Sequence, residues 1–123
     1  GFTKEDRDTN IERVSFVAKL LSRNGISVLS SFISPYIERR NKTRDMVTNF
    51  IEVFVNCPVE VCEQRDVKGL YEKARKGEIE NFTGISDPYE APENAEIVLN
   101  THEETVEESV QIVMDYLEEN GYL

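Results

Sequence analysis

A chain of 123 residues with 39% hydrophobic content has the size and composition of one domain with one core. Its net charge of −10 argues against duplex nucleic acid, whose backbone demands a basic face, and no window of 18 apolar residues exists to cross a membrane. Two cysteines, Cys57 and Cys62, are too few for a disulfide framework, and their spacing, with His102 as the single histidine, does not make a zinc site. They are expected as unpaired thiols in a reducing compartment. No charged segment precedes an apolar run, so no secretory signal is expected.

Asp6 to Asn24 reads as a helix, because Ile11, Val14, Ala18 and Leu21 recur at helical spacing. Thr3 suits its N-cap and Gly25 its stop. Ile26 to Ser31 is short and apolar and is expected as a buried strand. Phe32 to Tyr36 follows as a loop, and a helix begins near Pro35 and runs toward Val47. Phe50 to Val55 (FIEVFV) is the clearest strand: such a continuous apolar run fits a parallel strand buried on both faces. Asn56-Cys57-Pro58 is a turn and Val59 to Arg65 a short helix. A charged stretch punctuated by Gly69, Gly77 and Gly84 leads to an irregular segment from Ser86 to Asn94 that contains Pro88 and Pro92. Glu96 to Leu99 is a third strand. Thr105 with Glu108 forms a capping box that opens a last helix, striped by Val106, Val110, Val113 and Leu117 and ended by Gly121. Strands alternating with helices predict an α/β fold with a parallel sheet and flanking helices. Ligands of such sheets gather at the carboxyl ends of strands, here Ser31–Tyr36, Asn56–Pro58 and Asn100–Glu103.

Charge is segregated along the chain. Residues 1–76 carry all 14 Lys and Arg and balance to +3, while residues 77–123 carry acids and no base and balance to −13. The first part can therefore hold a small polyanion through its arginines, and the acidic end reads as solvated helix face. Arg7 lies among acids in EDRDTN, where local ion pairs compete with presentation toward an anion. Ser34, in FISPY, offers a hydroxyl and a backbone N–H near a helix start, which suits phosphate. Arg39, Arg40 and Arg44 are expected on an exposed helix face, and Leu70 and Tyr71 in the core. One histidine supports no nucleophilic triad. No glycine is followed by Lys and then Ser or Thr, so the chain has no P-loop to cradle a triphosphate.

The runs GFTKEDRDTNIERV, FVAKLL, SFISPYIERR, FIEVFVNCPVEVCEQRDVKGLYEKARKGEI and NFTGISDPYEAPENAEIVLNT together resemble the adenylylsulfate kinase (APS kinase) family. The resemblance implies a P-loop-kinase-like parallel sheet, incomplete at the N-terminus, with residues 1–123 forming the C-terminal two-thirds of the domain. It also implies phosphorylation of the ribose 3′-hydroxyl of adenosine 5′-phosphosulfate (APS) by ATP, giving PAPS and ADP in sulfate assimilation. ATP and Mg²⁺ are the implied cofactors, the Mg²⁺ held through the P-loop and the substrate phosphates. The implied protein is a cytoplasmic homodimer or a domain fused to ATP sulfurylase. The family's P-loop and catalytic Asp have no counterpart among these residues, so the chain alone is expected to be inactive. A non-catalytic domain that binds APS or PAPS and regulates a fused ATP sulfurylase is the alternative.

Carried over by position, the resemblance makes Phe2, Arg7, Asn10, Ile33, Ser34, Lys68 and Phe82 APS contacts. Phe2 and Phe82 would sandwich the adenine, and Lys68 would neutralise charge between the substrates. Arg65, Thr101 and Thr105 would lie near the ATP adenine. Residues 68–92 would be a lid with play at Gly69 and Gly77. Lys68→Ala and Phe82→Ala are accordingly expected to weaken APS use far more than folding. Three positions depart from the family pattern, which often has a base where Glu80 stands, an Asp at Ser86 and an Asp at Arg39.

Overall fold

The computed structural model describes residues 3–123. Five helices and two strands occur among them, in the order α1 (Lys4–Ser22), α2 (Ile37–Met46), β1 (Val53–Asn56), α3 (Val59–Arg65), α4 (Leu70–Arg75), β2 (Ile97–Asn100) and α5 (Val106–Glu119). They group into two compact units, Gly1–Phe50 with Leu70–Ala91, and Ile51–Gly69 with Pro92–Leu123.

In the first unit α1 packs on α2. Thr3 caps α1, its hydroxyl accepting from the Asp6 N–H at 3.1 Å. At the other end Gly25 takes φ +77°, and the N–H groups of Gly25 and Ile26 reach back to the Ser22 and Leu21 carbonyls. That left-handed turn closes the last helical carbonyls, and an L side chain would strain it. The seam between the helices is partly polar. Ser15 Oγ donates to the Ile11 carbonyl and meets Thr43 Oγ1 at 2.8 Å. Arg39 binds Asp8 at 3.0 Å, which gives the unusual Arg39 a structural partner. Ile11, Ala74 and Phe82 are the buried hydrophobic residues of this unit, and Pro35 is fully enclosed.

In the second unit β1 and β2 pair in parallel, with Val53 opposite Ile97 and Asn56 opposite Asn100. Ile97 and Leu99 are buried, and α5 packs on β2. The predicted capping box is present: Thr105 Oγ1 accepts from the Glu108 N–H, and the Glu108 carboxylate accepts from the Thr105 N–H. Gly121, at φ +73°, ends α5 as Gly25 ends α1.

The parallel sheet with flanking helices agrees with the α/β expectation. Two details differ. Residues 26–31 form no strand, because a strand requires a paired neighbour; Ile26 is 50% exposed and Leu29 is 95% exposed. Arg39, Arg40 and Arg44 do not share an exposed face: Arg39 is half-buried against Asp8 and Arg44 half-buried over the Phe50 ring, while the Arg40 guanidinium is drawn inward by two main-chain carbonyls and the residue is buried.

Candidate functional site

The predicted APS-contact residues fall mainly in the first unit, where two groupings stand out. One surrounds the NFTG turn. The Phe82 carbonyl accepts from the N–H groups of Ile85, Ser86 and Asp87, the Phe82 N–H donates to Ser86 Oγ at 2.8 Å, and the Gly84 N–H closes onto the Asp87 carbonyl. Asn81, at φ +57°, enters this turn from the left-handed region. Phe82 is buried and meets the Tyr71 ring edge-on at 5.1 Å. Arg7 of α1 spans the turn: Nη2 donates to the Asn81 carbonyl, and Nη1 lies 3.6 Å from Asp87 Oδ2. Nη1 is buried and makes no hydrogen bond, and Thr83 Oγ1 in the same turn is also buried without one. A buried donor left unsatisfied is costly, so the guanidinium retains capacity for a further acceptor. Asn10, one helical turn beyond Arg7, is exposed. Asp87 was not foreseen as a partner; the only hint was its charge beside a proline.

The second grouping is the loop before α2. Ile33 is 67% exposed and Ser34 half-buried. The Ser34 carbonyl accepts from Arg40 Nη1 at 2.5 Å, and Arg40 Nη2 donates to the Glu90 carbonyl at 2.5 Å. The Glu90 N–H returns to the Pro35 carbonyl, and Glu90 Oε2 accepts from the Ile37 N–H at the start of α2. Arg40 also lies 5.7 Å from the centre of the Tyr89 ring.

The remaining predicted residues belong to the second unit, apart from Phe2, which lies outside the described residues. Lys68 is exposed on the connection after α3. Arg65 at the end of α3 donates to the Thr101 carbonyl at 2.8 Å, just past β2. Thr101 is tied by its N–H to the Asn56 carbonyl, and Asn56 Nδ2 donates to Asn100 Oδ1 at 2.9 Å. Glu104 then braces the turn, accepting from the Asn100 N–H and from Ser109 Oγ. Arg65 and Thr101 therefore meet at the carboxyl ends of the strands, while Thr105 is occupied as a helix cap. Sequence marks Asn100 only as the end of a strand and Glu104 not at all, since side-chain braces within a turn leave no periodic trace.

The acidity of Glu108 is altered by its cap. The Thr105 N–H donates to its carboxylate, and together with the Thr105 hydroxyl this holds its carboxyl below the usual range. Among the described residues no group of three or more His, Cys, Asp or Glu is arranged to hold a metal ion. Among them, too, no helix is long and apolar enough to cross a membrane.

A solved structure of the Mycobacterium tuberculosis APS kinase CysC in complex with AMPPNP and APS superposes with a TM-score of 0.90 at 44% identity, covering 96% of this chain and 70% of that one. The adenylyl-sulfate kinase of Halothermothrix orenii is 65% identical over 123 residues, all of this chain and 66% of the relative. A probable adenylyl-sulfate kinase of Pseudomonas aeruginosa is 68% identical over 114 residues, or 93% of this chain and 53% of the relative. The chain thus spans between about half and two-thirds of the length of these two relatives. The family profile described as adenylylsulphate kinase matches residues 1–100. By that match, by these identities and by the shared fold, the chain belongs to the adenylylsulphate kinase family.

Proposed function

We propose that this chain is the substrate-binding and lid portion of a kinase that transfers the γ-phosphoryl group of ATP to the 3′-hydroxyl of APS. The hydroxyl oxygen forms the new bond to phosphorus, the bond to the bridging oxygen of ADP breaks, and the hydroxyl proton is released. Such transfer depends mostly on positioning and on neutralising charge, and these are tasks that side chains of this chain can perform. Arg7, Asn10, Ile33, Ser34 and Phe82 bind APS, with Phe2 as a further ring against the adenine. Lys68 supplies a positive charge where phosphoryl charge builds. Arg65 and Thr101 flank the ATP adenine, with Thr105 beside them. Mg²⁺ would offset charge on the nucleotide phosphates when bound. A cytoplasmic homodimer, free or fused to ATP sulfurylase, completes this reading, which draws on the family resemblance.

The observation that carries the proposal is the Arg7 guanidinium, with one nitrogen bound to the Asn81 carbonyl and the other buried without a hydrogen bond beside Asp87. An anionic nucleotide would fill that donor once the 81–87 turn moves aside. The 68–92 lid supports such movement: Gly69 and Gly77 both adopt positive φ, with nothing crowding either position.

The test is direct. The complete polypeptide carrying these residues, given APS, ATP and Mg²⁺, is expected to form PAPS and ADP in equal amounts. Nucleotide hydrolysis without PAPS would overturn the proposal. APS binding without any turnover would favour the regulatory alternative.

A further inference from the structure

The most buried charge in the first unit belongs to a residue that no APS contact explains. Arg40 sits in the first turn of α2, where its guanidinium meets two carbonyls and an aromatic ring and the residue is buried. Burying a guanidinium is expensive unless its donors are met, so a chain that keeps one there gains a geometric constraint in exchange. The constraint is specific. One nitrogen fixes the Ser34 carbonyl and the other fixes the Glu90 carbonyl, 50 residues further along. Glu90 completes the connection through its N–H to Pro35 and its carboxylate to the Ile37 N–H. Four hydrogen bonds thus fasten residues 34–37 to the end of the segment that carries the NFTG turn.

We propose that Arg40 and Glu90 are positioning residues that set the Ile33–Ser34 loop for APS. The inference rests on the APS-kinase reading, because the loop matters only if it meets that substrate. A planar guanidinium can hold two carbonyls at once, whereas the lysine ammonium is a point charge without that fork. Arg40→Lys therefore keeps the charge and loses the bridge. The Glu90 carboxylate acts as an acceptor, so Glu90→Gln retains the bond to the Ile37 N–H and Glu90→Ala does not.

Steady-state kinetics of the complete polypeptide, with APS and ATP varied separately, test the proposal. Arg40→Lys and Glu90→Ala are each expected to raise KM for APS about tenfold, with kcat and KM for ATP within about twofold of wild type. Glu90→Gln is expected to behave as wild type. Lys42→Ala, which removes a solvent-exposed pairing with Glu12, serves as the control. If Arg40→Lys does not fold, the contrast between Glu90→Ala and Glu90→Gln gives the same reading. Unchanged KM for APS in the folded variants, or an equal loss in Glu90→Gln, would overturn the positioning role. A wild-type protein that makes no PAPS would instead overturn the APS-kinase reading, so the two failures are separable.

Discussion

The two units are held together by different means. In the first, charged side chains grip main-chain carbonyls: Arg7 holds Asn81, and Arg40 holds Ser34 and Glu90. In the second, the frame is a parallel backbone ladder, with Ile97 and Leu99 buried and a doubly bonded cap opening α5. A ladder constrains every residue it passes through and tolerates side-chain change. A guanidinium bridge concentrates the constraint in one replaceable side chain. The candidate APS contacts are therefore concentrated where single substitutions alter geometry, and the candidate ATP-adenine contacts where the backbone resists them.

The largest expected effect that sharpens this contrast is at Phe82. From sequence alone its loss should cost binding rather than folding, but the ring is buried against Tyr71 at the root of a hydrogen-bonded turn. Phe82→Ala is expected to destabilise the protein by about 3 kcal/mol, read as a lower urea midpoint, in addition to weakening APS use. An unchanged midpoint would show that the turn does not depend on this ring. Lys68→Ala is expected to do the opposite. Because Lys68 is exposed, kcat/KM for APS should fall about 100-fold with no change in Tm. A lowered Tm would assign it a structural role instead.

Smaller effects test the ladder-and-cap unit. Thr105→Ala removes the α5 cap and is expected to cost about 1 kcal/mol in urea unfolding. It should leave KM for APS unchanged, and a clear change there would break the division of roles between the units. Smallest is a pH effect at Glu108. Its folded carboxyl is more acidic than its unfolded one, so its contribution is complete above the ordinary carboxylate range and is lost as pH falls through the lowered value. Wild type and Glu108→Gln should therefore differ slightly in urea midpoint at neutral pH and converge well below the carboxylate range. A constant difference across that range would assign the effect to packing.

What could be read in the sequence follows the same division. The capping box, the glycine stops at Gly25 and Gly121, and the apolar runs of the two paired strands are local or periodic features, and each was visible in the order of residues. The strand expected at 26–31 failed because its apolar composition says nothing of a neighbour to pair with. Arg40 was misplaced because its partners are carbonyls, which every residue possesses, so no residue type signals the contact. Arg7 was identified through a family resemblance, yet its partner Asp87 lies 80 positions away, beyond the reach of any spacing rule. Side-chain grips on distant backbone are thus the least legible part of this fold.

The segregation of charge has a practical consequence for following these motions. No Lys or Arg occurs after Lys76, and the last turn of α5 contains no base. Trypsin can therefore report backbone opening only up to that residue, so β2, α5 and the NFTG turn are silent to it. A glutamate-directed protease cuts within α5 and on either side of β2 and the NFTG turn, at Glu80, Glu90 and Glu96, so its fragments from beyond Lys76 report the opening that trypsin misses.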